Sequence, residues 1–203
     1  MIDETLARQN LYAFFSRLFI HEIDDAFADF LNKEMARELL PKFAASAEEL
    51  EVLSDKEKRE AHFHSDYAHL TMVNLVPYES FYRRDDAMIE SGFANPVVQF
   101  YQKYGFEVDL EAARALSPDH LGIELEFMAA LIGKEYEARQ EGQLEYADHI
   151  QKIELLFLDE HLMRWAIHYL LAVADNAKTV LYAEGAKALL EFLLTDYEHL
   201  KRD

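Results

Sequence analysis

The chain has 203 residues, and its 39 aspartates and glutamates against 20 lysines and arginines give a formal net charge of −19. This charge excludes a protein that binds nucleic acid through a basic footprint on the phosphate backbone, and it favours basic partners. Hydrophobic residues make up 51% of the sequence, enough apolar surface for a folded core. Cysteine is absent, which excludes disulfides, thiolate metal sites and a cysteine nucleophile and is compatible with a reducing compartment.

The beginning of the chain does not resemble a secretory leader. Residues Met1–Glu4 are acidic at two positions, whereas a leader opens with basic residues followed by an apolar run. The most apolar stretch, 165–174, contains His168 and ends at Asp175, well short of the roughly 20 residues that a spanning helix needs. We therefore expect a cytoplasmic protein without direct membrane insertion.

The hydrophobic pattern of the N-terminal part is helical. Apolar residues recur at helical spacing over residues 6–18 and again over residues 27–35. Residues 54–57 have the sequence of a capping box, which predicts that Ser54 begins a helix running toward Leu70.

Two later stretches do not have a helical pattern. Residues 72–94 contain a proline, a glycine and a concentration of aromatic residues, and residues 105–118 are predicted to form a short element and a connection. Asn95 and Ser117 each precede a proline, which predicts a helix start at both positions. Further helical patterns cover residues 143–158, 160–174 and 178–201.

These elements predict an all-α protein, since only six glycines and four prolines interrupt the chain. Neither a fixed repeat nor a low-complexity linker divides it, so we predict a single domain over residues 1–203. The connection near residues 112–118 could act as a hinge between an N-terminal and a C-terminal helical part.

The first cluster of candidate functional residues is Pro118–Glu124. If Ser117 caps the following helix, Asp119 complements the positive end of the helix dipole, and Glu124 lies one turn after His120 on the same face. These side chains therefore either cap and pair within the helix, or they offer a carboxylate–imidazole cluster to a polar or cationic ligand.

A metal site at these residues lacks the usual ligand spacings. The sequence contains no Glu-x-x-His motif of a di-iron bundle and no histidine pair at i,i+4 spacing. A metal-dependent hydrolase that uses His120, Glu124 and His161 is the runner-up hypothesis. A permanent acidic scaffold subunit is a third.

The second cluster is the aromatic segment Val76–Arg84, which follows Asp66 and Tyr67 on the preceding predicted helix. Aromatic residues outside a helix stripe either fill the core beneath a long loop or form a rigid wall for an apolar peptide, with hydroxyl groups that orient it. Both interpretations are compatible with the sequence.

The third cluster lies on a predicted helix, where Leu158, Leu162 and Trp165 recur at i, i+4 and i+7, a spacing typical of helix packing. His161 falls on a neighbouring face with Trp165, and we expect it to be a core or groove histidine with a hydrogen-bond partner. Neither a phosphate-binding loop nor a nucleophile elbow occurs in the chain.

These stretches, in this order, resemble the TorD/DmsD/NarJ family of redox-enzyme maturation chaperones. The matching segments are residues 66–67, 77–82, 118–121 with 125–127, and 157–165. TorD-like branches usually carry Glu-Pro-x-Asp-His at the hinge, whereas Leu116 and Ser117 stand here where that Glu and Pro would be. Pro118 directly before Asp119 and His120 is similar to the NarJ-like branch instead.

The resemblance implies an all-helical, non-enzymatic protein without a cofactor of its own. Such proteins bind the N-terminal leader, often of twin-arginine type, of a molybdopterin oxidoreductase catalytic subunit in the cytoplasm. They assist cofactor insertion and assembly and delay export. Transferred by position, the leader-binding residues would be Asp66, Tyr67, Pro77, Tyr78, Ser80, Tyr82, Pro118, Asp119, His120 and Glu124, with His161 and Trp165 as structural or groove residues.

Two further properties follow from the resemblance alone. Some members bind guanine nucleotide weakly, and some exchange helical halves, so a monomer or a helix-exchanged dimer is implied. The composition agrees with the implied partner, because an acidic surface attracts the two guanidinium groups of a leader while an aromatic and leucine-lined groove accepts its apolar segment.

Overall fold

The computed structural model describes residues 4–92 and 94–202, and most of them are helical. The helices are α1 Glu4–Ile20, α2 Asp25–Leu31, α3 Glu34–Leu39, α4 Pro41–Ala45, α5 Ala47–Ser54, α6 Lys56–Arg59, α7 Ser65–Ala68, α8 Glu79–Arg83, α9 Pro96–Tyr104, α10 Leu110–Ala113, α11 Leu121–Gln140, α12 Leu144–Phe157, α13 Met163–Asn176 and α14 Val180–Leu200. Three π-helical turns continue neighbouring helices: Glu60–His64, His69–Val73 and Leu158–Leu162. The predicted all-α class is confirmed.

Several predicted elements are confirmed at nearly the predicted positions. The helix expected from the mid-fifties to Leu70 runs from Lys56 to Val73 through α6, α7 and two π-helical turns. The two helical patterns predicted over residues 143–158 and 160–174 are continuous in the structure, because a π-helical turn joins α12 to α13 without leaving the helical conformation. The stretches 72–94 and 105–118 are largely irregular and contain only the short helices α8 and α10 among their described residues.

Two local predictions in the N-terminal part are wrong. Ser54 does not cap a helix, because it is the last residue of α5 and its hydroxyl donates to the carbonyl of Glu51 at 2.7 Å. Asp55 is the cap instead, and its carboxylate accepts from the Lys58 N–H at 3.1 Å. The stripe predicted over residues 27–35 is divided between α2 and α3, which leaves Met35 54% exposed.

Asn95, by contrast, caps α9 as predicted. Its side chain accepts from the N–H of Val97, and Pro96 occupies the first helical position. The same helix ends at Gly105, whose φ of 68° lies in the left-handed region that favours glycine.

The chain forms two compact units. The first contains the described residues within Met1–His21, Tyr78–Ala166 and Leu193–Asp203, and the second contains Glu22–Pro77 and Ile167–Phe192. The predicted single domain and the predicted hinge near residues 112–118 stay predictions.

In the second unit, carboxylates from distant helices satisfy the N–H groups at the start of α14. Asp66 accepts from the backbone of Thr179 at 2.8 Å, and Glu49 accepts from the backbones of Val180 and Leu181 at 2.6 and 3.0 Å. Because the first N–H groups of a helix lack partners within it, and its N-terminal end attracts negative charge, these bonds stabilise both α14 and its packing in this unit.

In the first unit, a buried ionic cluster connects four helices. Arg8 of α1 donates to Asp196 of α14 at 2.6 Å, to Glu154 of α12 at 2.7 Å and to Glu135 of α11 at 3.2 Å. The Tyr12 hydroxyl donates to the second oxygen of Asp196 at 2.8 Å. One guanidinium therefore faces three buried carboxylates, which the sequence pattern did not reveal.

Titration of Glu154 is expected to make stability depend on pH. Burial raises the pKa of Glu154 from 4.5 to about 8, against the opposing charge of Arg8. The folded state then binds more protons than the unfolded state between these two values, so stability falls as pH rises through this window. Glu154→Gln imitates the protonated acid. Its free energy of unfolding, measured with urea at several pH values, should therefore fall less between pH 5 and 8 than that of the unmodified protein, by about 1–3 kcal/mol. If the free energies of unfolding of the two proteins depend on pH in the same way, Glu154 is not the source of the pH dependence.

Within the described residues, no helix combines the length and the low polarity that a membrane span requires.

Candidate functional site

Several of the residues predicted to be functional meet where the aromatic segment lies beside the start of α11. Tyr78 and His120 form an isolated antiparallel bridge, and the N–H of Glu79 donates to the carbonyl of Asp119 at 3.0 Å. Tyr78 and His120 also place their rings edge to face, with centroids 5.1 Å apart. We call this pairing of residues 78–82 with residues 117–124 the junction.

Asp119 caps a helix, but not the helix that the sequence predicted. Its carboxylate accepts from the N–H of Ser80, at the start of α8, at 2.7 Å, and from the hydroxyl of Ser117. The predicted helix start at Ser117 is wrong, because residues 117–119 form a turn and α11 begins at Leu121. Asp119 is fully buried, so it fixes the aromatic segment to the turn before α11.

His120 is the N-cap of α11. Its Nδ1 accepts from the N–H of Gly122 at 3.1 Å, which requires a neutral ring, and burial lowers its pKa to about 3. The predicted pairing of His120 and Glu124 is not formed, since no hydrogen bond joins the two side chains among the described residues.

Glu124 is buried and is connected to the aromatic segment through Trp165. The Trp165 Nε1–H donates to Glu124 Oε2 at 3.2 Å, and the Trp165 ring packs on Tyr82 with centroids 5.5 Å apart. Burial raises the pKa of Glu124 well above its usual value, and the nearby charges of Glu79 and Asp119 add to this effect. The neutral acid is therefore favoured.

Glu79 is the connecting residue that the sequence reasoning missed. It is fully buried, one oxygen accepts from Arg83, and the other lies 2.9 Å from Nδ1 of His161. His161 is accordingly a buried histidine with a partner, as predicted, and its ring stacks on Phe157. The signal was present in the sequence, since a carboxylate among aromatic residues needs a cation or donor when it is buried.

The structure supports the core-filling interpretation for Tyr78, and the wall for an apolar peptide stays a prediction. Tyr78 is buried, and its hydroxyl accepts from the N–H of Leu116 at 3.0 Å, so this ring fills the core beneath the loop. Tyr82 is only half-buried and keeps one part of its surface accessible.

The remaining predicted residues have separate locations. Asp66 and Tyr67 belong to the second unit, where both are buried. Pro77 is the last residue of a segment of that unit, and Pro118 is buried in the junction, with its carbonyl accepting from Tyr101 at 3.2 Å.

The junction is held against α1 by a close helix approach. A Cβ built on Gly122 would lie 2.6 Å from the Cβ of Ile20, so no larger residue fits without a shift. Ser16 donates to the Gly122 carbonyl at 2.7 Å. The motif glycine is therefore required by packing.

The geometry does not favour the metal-dependent hydrolase. His120 binds a backbone N–H, Glu124 binds Trp165 and His161 binds Glu79, so the three proposed ligands do not converge. Among residues 4–92 and 94–202, no group of three or more histidine or acidic side chains is arranged to hold a metal ion.

Two adjacent cavities of the first unit lie on either side of the segment Phe106–Val108. One has a volume of about 610 Å³ and includes Pro118 of the junction in its wall. The other, which we call the acidic cavity, has a volume of about 470 Å³. Its apolar lining is Ala13, Ile20, Phe106, Val108, Ala112, Ala113, Ile123 and Ala129, and its charged lining is Arg17, His21, Glu107, Asp109 and Glu126.

Comparison with known proteins identifies relatives over most of the chain. The chaperone protein TorD of Vibrio vulnificus (strain YJ016) is 25% identical over 166 residues, which cover 80% of this chain and 75% of the relative. The chaperone protein TorD of Vibrio atlanticus (strain LGP32) is 22% identical over 207 residues, which cover 95% and 94%. The sequence profile of the family described as nitrate reductase delta subunit matches residues 32–169. Because this match extends over more than half of the chain, the resemblance seen in the motifs is confirmed, and the chain belongs to the NarJ/TorD family, described as the nitrate reductase delta subunit.

Proposed function

We propose that this protein is a cytoplasmic chaperone that binds the N-terminal leader of a molybdopterin oxidoreductase and holds the apoenzyme during cofactor insertion and assembly. For an exported client it would also delay transport. The observation that carries the proposal is the family membership together with the junction, which joins two of the family-like motifs in one compact unit. A third motif contacts the junction through His161 and Trp165. The protein acts by binding rather than by turnover.

The acidic cavity has the chemistry that such a leader requires. Its wall is mainly aliphatic, and Glu107, Asp109 and Glu126 outnumber Arg17. A guanidinium remains charged at all relevant pH values and forms forked hydrogen bonds with carboxylates. We propose that the apolar segment of the leader packs on this wall while its arginines pair with the carboxylates.

Within this proposal, Asp119 and His120 position the leader site rather than contact the leader. Both are buried, and their polar atoms hold α8 and α11 in place. Substituting them would act on leader binding through the position of α11, which contributes Ile123, Glu126 and Ala129 to the lining of the acidic cavity.

Leader binding is expected to be micromolar, near −8 kcal/mol, because burial of a few apolar side chains is offset by the cost of ordering a flexible peptide. Replacing both arginines of a twin-arginine leader with glutamine should weaken binding about tenfold, as expected for two exposed ion pairs of about 0.7 kcal/mol each. Calorimetric titration at increasing salt should show affinity falling as exposed charges are screened. A client leader without the two arginines should show a shallower salt dependence.

The location is tested by a triple variant, Glu107→Gln, Asp109→Asn and Glu126→Gln, in which Asn keeps the cap of α10. This variant should bind the twin-arginine leader more weakly. It should also bind that leader and the leader with both arginines replaced by glutamine with nearly equal affinity. The matched control is Glu34→Gln, Glu38→Gln and Glu48→Gln, which makes the same charge change on exposed residues of the second unit.

Two results would count against the proposal. Equal affinity for a scrambled leader would remove leader recognition as the function. Equal weakening by the triple variant and by its control would show that only overall charge matters, and the acidic cavity would then not be the site.

A further inference from the structure

A third cavity of the first unit is lined by three basic side chains, although the chain as a whole carries a net charge of −19. Arg83, Lys103 and Arg164 contribute to its wall, and its volume is about 610 Å³. We call it the basic cavity. Since an acidic protein repels anions at long range, a local concentration of cations in a concave site requires a physical explanation.

The two guanidinium groups are held in place by backbone carbonyls. Arg83 donates to the carbonyl of Glu160 at 2.8 Å, and Arg164 donates to the carbonyl of Asp159 at 2.6 Å and to its carboxylate at 3.2 Å. These bonds use Nη1 of Arg83, and Nε and Nη2 of Arg164. The other nitrogens of both side chains have no partner among the described residues, so each guanidinium keeps donors for a ligand.

Glu79 joins Arg83 to His161, and both of these partners line the basic cavity. The buried carboxylate of Glu79 binds Arg83 through one oxygen and His161 through the other, at 2.9 Å from Nδ1. His161 also lines the cavity. Its Nε2 has no partner within the described part of the chain, which makes it a further polar atom for a ligand.

Lys103 completes the cationic lining. Its ammonium lies 5.0 Å from the centroid of the Tyr104 ring and has no carboxylate partner among residues 4–92 and 94–202. Glu160 also lines the cavity. Arg83 and Arg164 each pair with one carboxylate, of Glu79 and Asp159, whereas Lys103 adds a charge that no carboxylate of the described residues pairs with. Phe100 and Leu156 supply an apolar wall beside the charges.

We propose that the basic cavity binds an organic oxyanion, a phosphate ester or a carboxylate attached to an apolar group. Guanidinium groups bind both anions through paired, charge-assisted hydrogen bonds. The volume suits a small organic ligand, which is generally held by apolar walls and a few convergent polar groups. Arg83, Lys103 and Arg164 would contact the anionic group, and Phe100 and Leu156 would contact the apolar body.

The proposal is tested with the full chain and three probes of similar shape: phenyl phosphate, phthalate and the uncharged phthalamide. Calorimetry and thermal unfolding should show that at least one anion binds and raises Tm with concentration, as mass action requires, while phthalamide has no effect. The double variant Lys103→Gln with Arg164→Gln should weaken anion binding by about tenfold or more, because it removes two charged donors. Arg83 is retained because its loss would leave the buried Glu79 without its cation.

The matched control is Lys56→Gln with Arg202→Gln, which removes the same charges at exposed positions outside the cavity. It should bind the anions as the unmodified protein does. Binding of phenyl phosphate alone would identify a phosphate ester as the ligand class, and binding of phthalate alone would identify a carboxylate. The proposal is overturned if neither anion binds at about 10 mM, a concentration that would detect even weak pocket affinities, if phthalamide binds equally well, or if the double variant and the control behave alike. No leader peptide is involved, so these outcomes are independent of the chaperone proposal.

Discussion

Arg8→Met is expected to lower the free energy of unfolding by about 3–5 kcal/mol, because it removes the cation from a buried cluster and leaves the carboxylates of Glu154 and Asp196 without a cation. Glu135 keeps its ion pair with Arg139. Arg8 is 6% exposed and bonds to Asp196, Glu154 and Glu135. These three carboxylates belong to three helices other than α1, so the loss affects the packing of α1, α11, α12 and α14 together. A total stability of about 5–15 kcal/mol is typical, and the variant would therefore be marginal.

The loss of stability expected for Arg8→Met also depends on pH. Without Arg8 the pKa of Glu154 rises further, because the charge of Arg8 opposes the effect of burial, so the destabilisation should be largest at alkaline pH and shrink as this acid is protonated. Urea unfolding followed by circular dichroism at several pH values measures this. The exposed substitution Arg202→Met serves as the control.

A rescue variant keeps the prediction testable if Arg8→Met does not fold. Adding Glu154→Gln and Asp196→Asn removes two of the uncompensated charges and should restore a substantial part of the stability, since replacing a whole buried ionic cluster is often tolerated. If Arg8→Met is as stable as the unmodified protein at pH 8, the cluster does not contribute as argued.

Trp165→Ala is expected to destabilise the protein by about 3–5 kcal/mol, the usual cost of removing a large buried aromatic side chain. Trp165 is fully buried, packs on Tyr82 and donates to Glu124. The substitution therefore creates a cavity next to the junction and leaves the buried Glu124 without its indole donor.

Trp165→Phe separates these two effects. It retains most of the apolar volume and removes only the hydrogen bond, so it should cost about 1–3 kcal/mol. Because Trp165 is the only tryptophan in the chain, unfolding must be followed by circular dichroism rather than by tryptophan fluorescence. Equal losses for the two variants would mean that the hydrogen bond, and not the volume, dominates.

The helix positions followed from the sequence with small errors, and the errors have a common physical cause. The cap assigned to Ser54 belongs to Asp55, and the start assigned to Ser117 belongs to His120. Several nearby residues can accept from a free helix N–H, so sequence spacing leaves the choice among them to the packing of the chain.

The sequence indicated several of the residues that the structure brings together at the junction, but not the hydrogen bonds that connect them. His161 and Trp165 were expected to be structural or groove residues, and both are buried. Glu79 was quoted only as part of an aromatic segment, although it joins Arg83 to His161 in the structure. The assignment of Asp119 to leader binding stays a prediction, and its bonds to Ser80 and Ser117 support the positioning role proposed for it above.

Amino-acid composition and helical periodicity were sufficient to establish the all-α class and the acidic character, and the order of the motifs was sufficient to indicate the family. These properties are local or additive, so they can be recognised without knowing which segments meet. The three bonds from Arg8 span 127, 146 and 188 residues along the chain, and the pairing of Glu79 with His161 spans 82. Contacts between residues distant in sequence form the ionic cluster, the capping of α8 by Asp119 and the basic cavity. The chain has many carboxylates that could pair with each cation, and only tertiary packing determines which of them does.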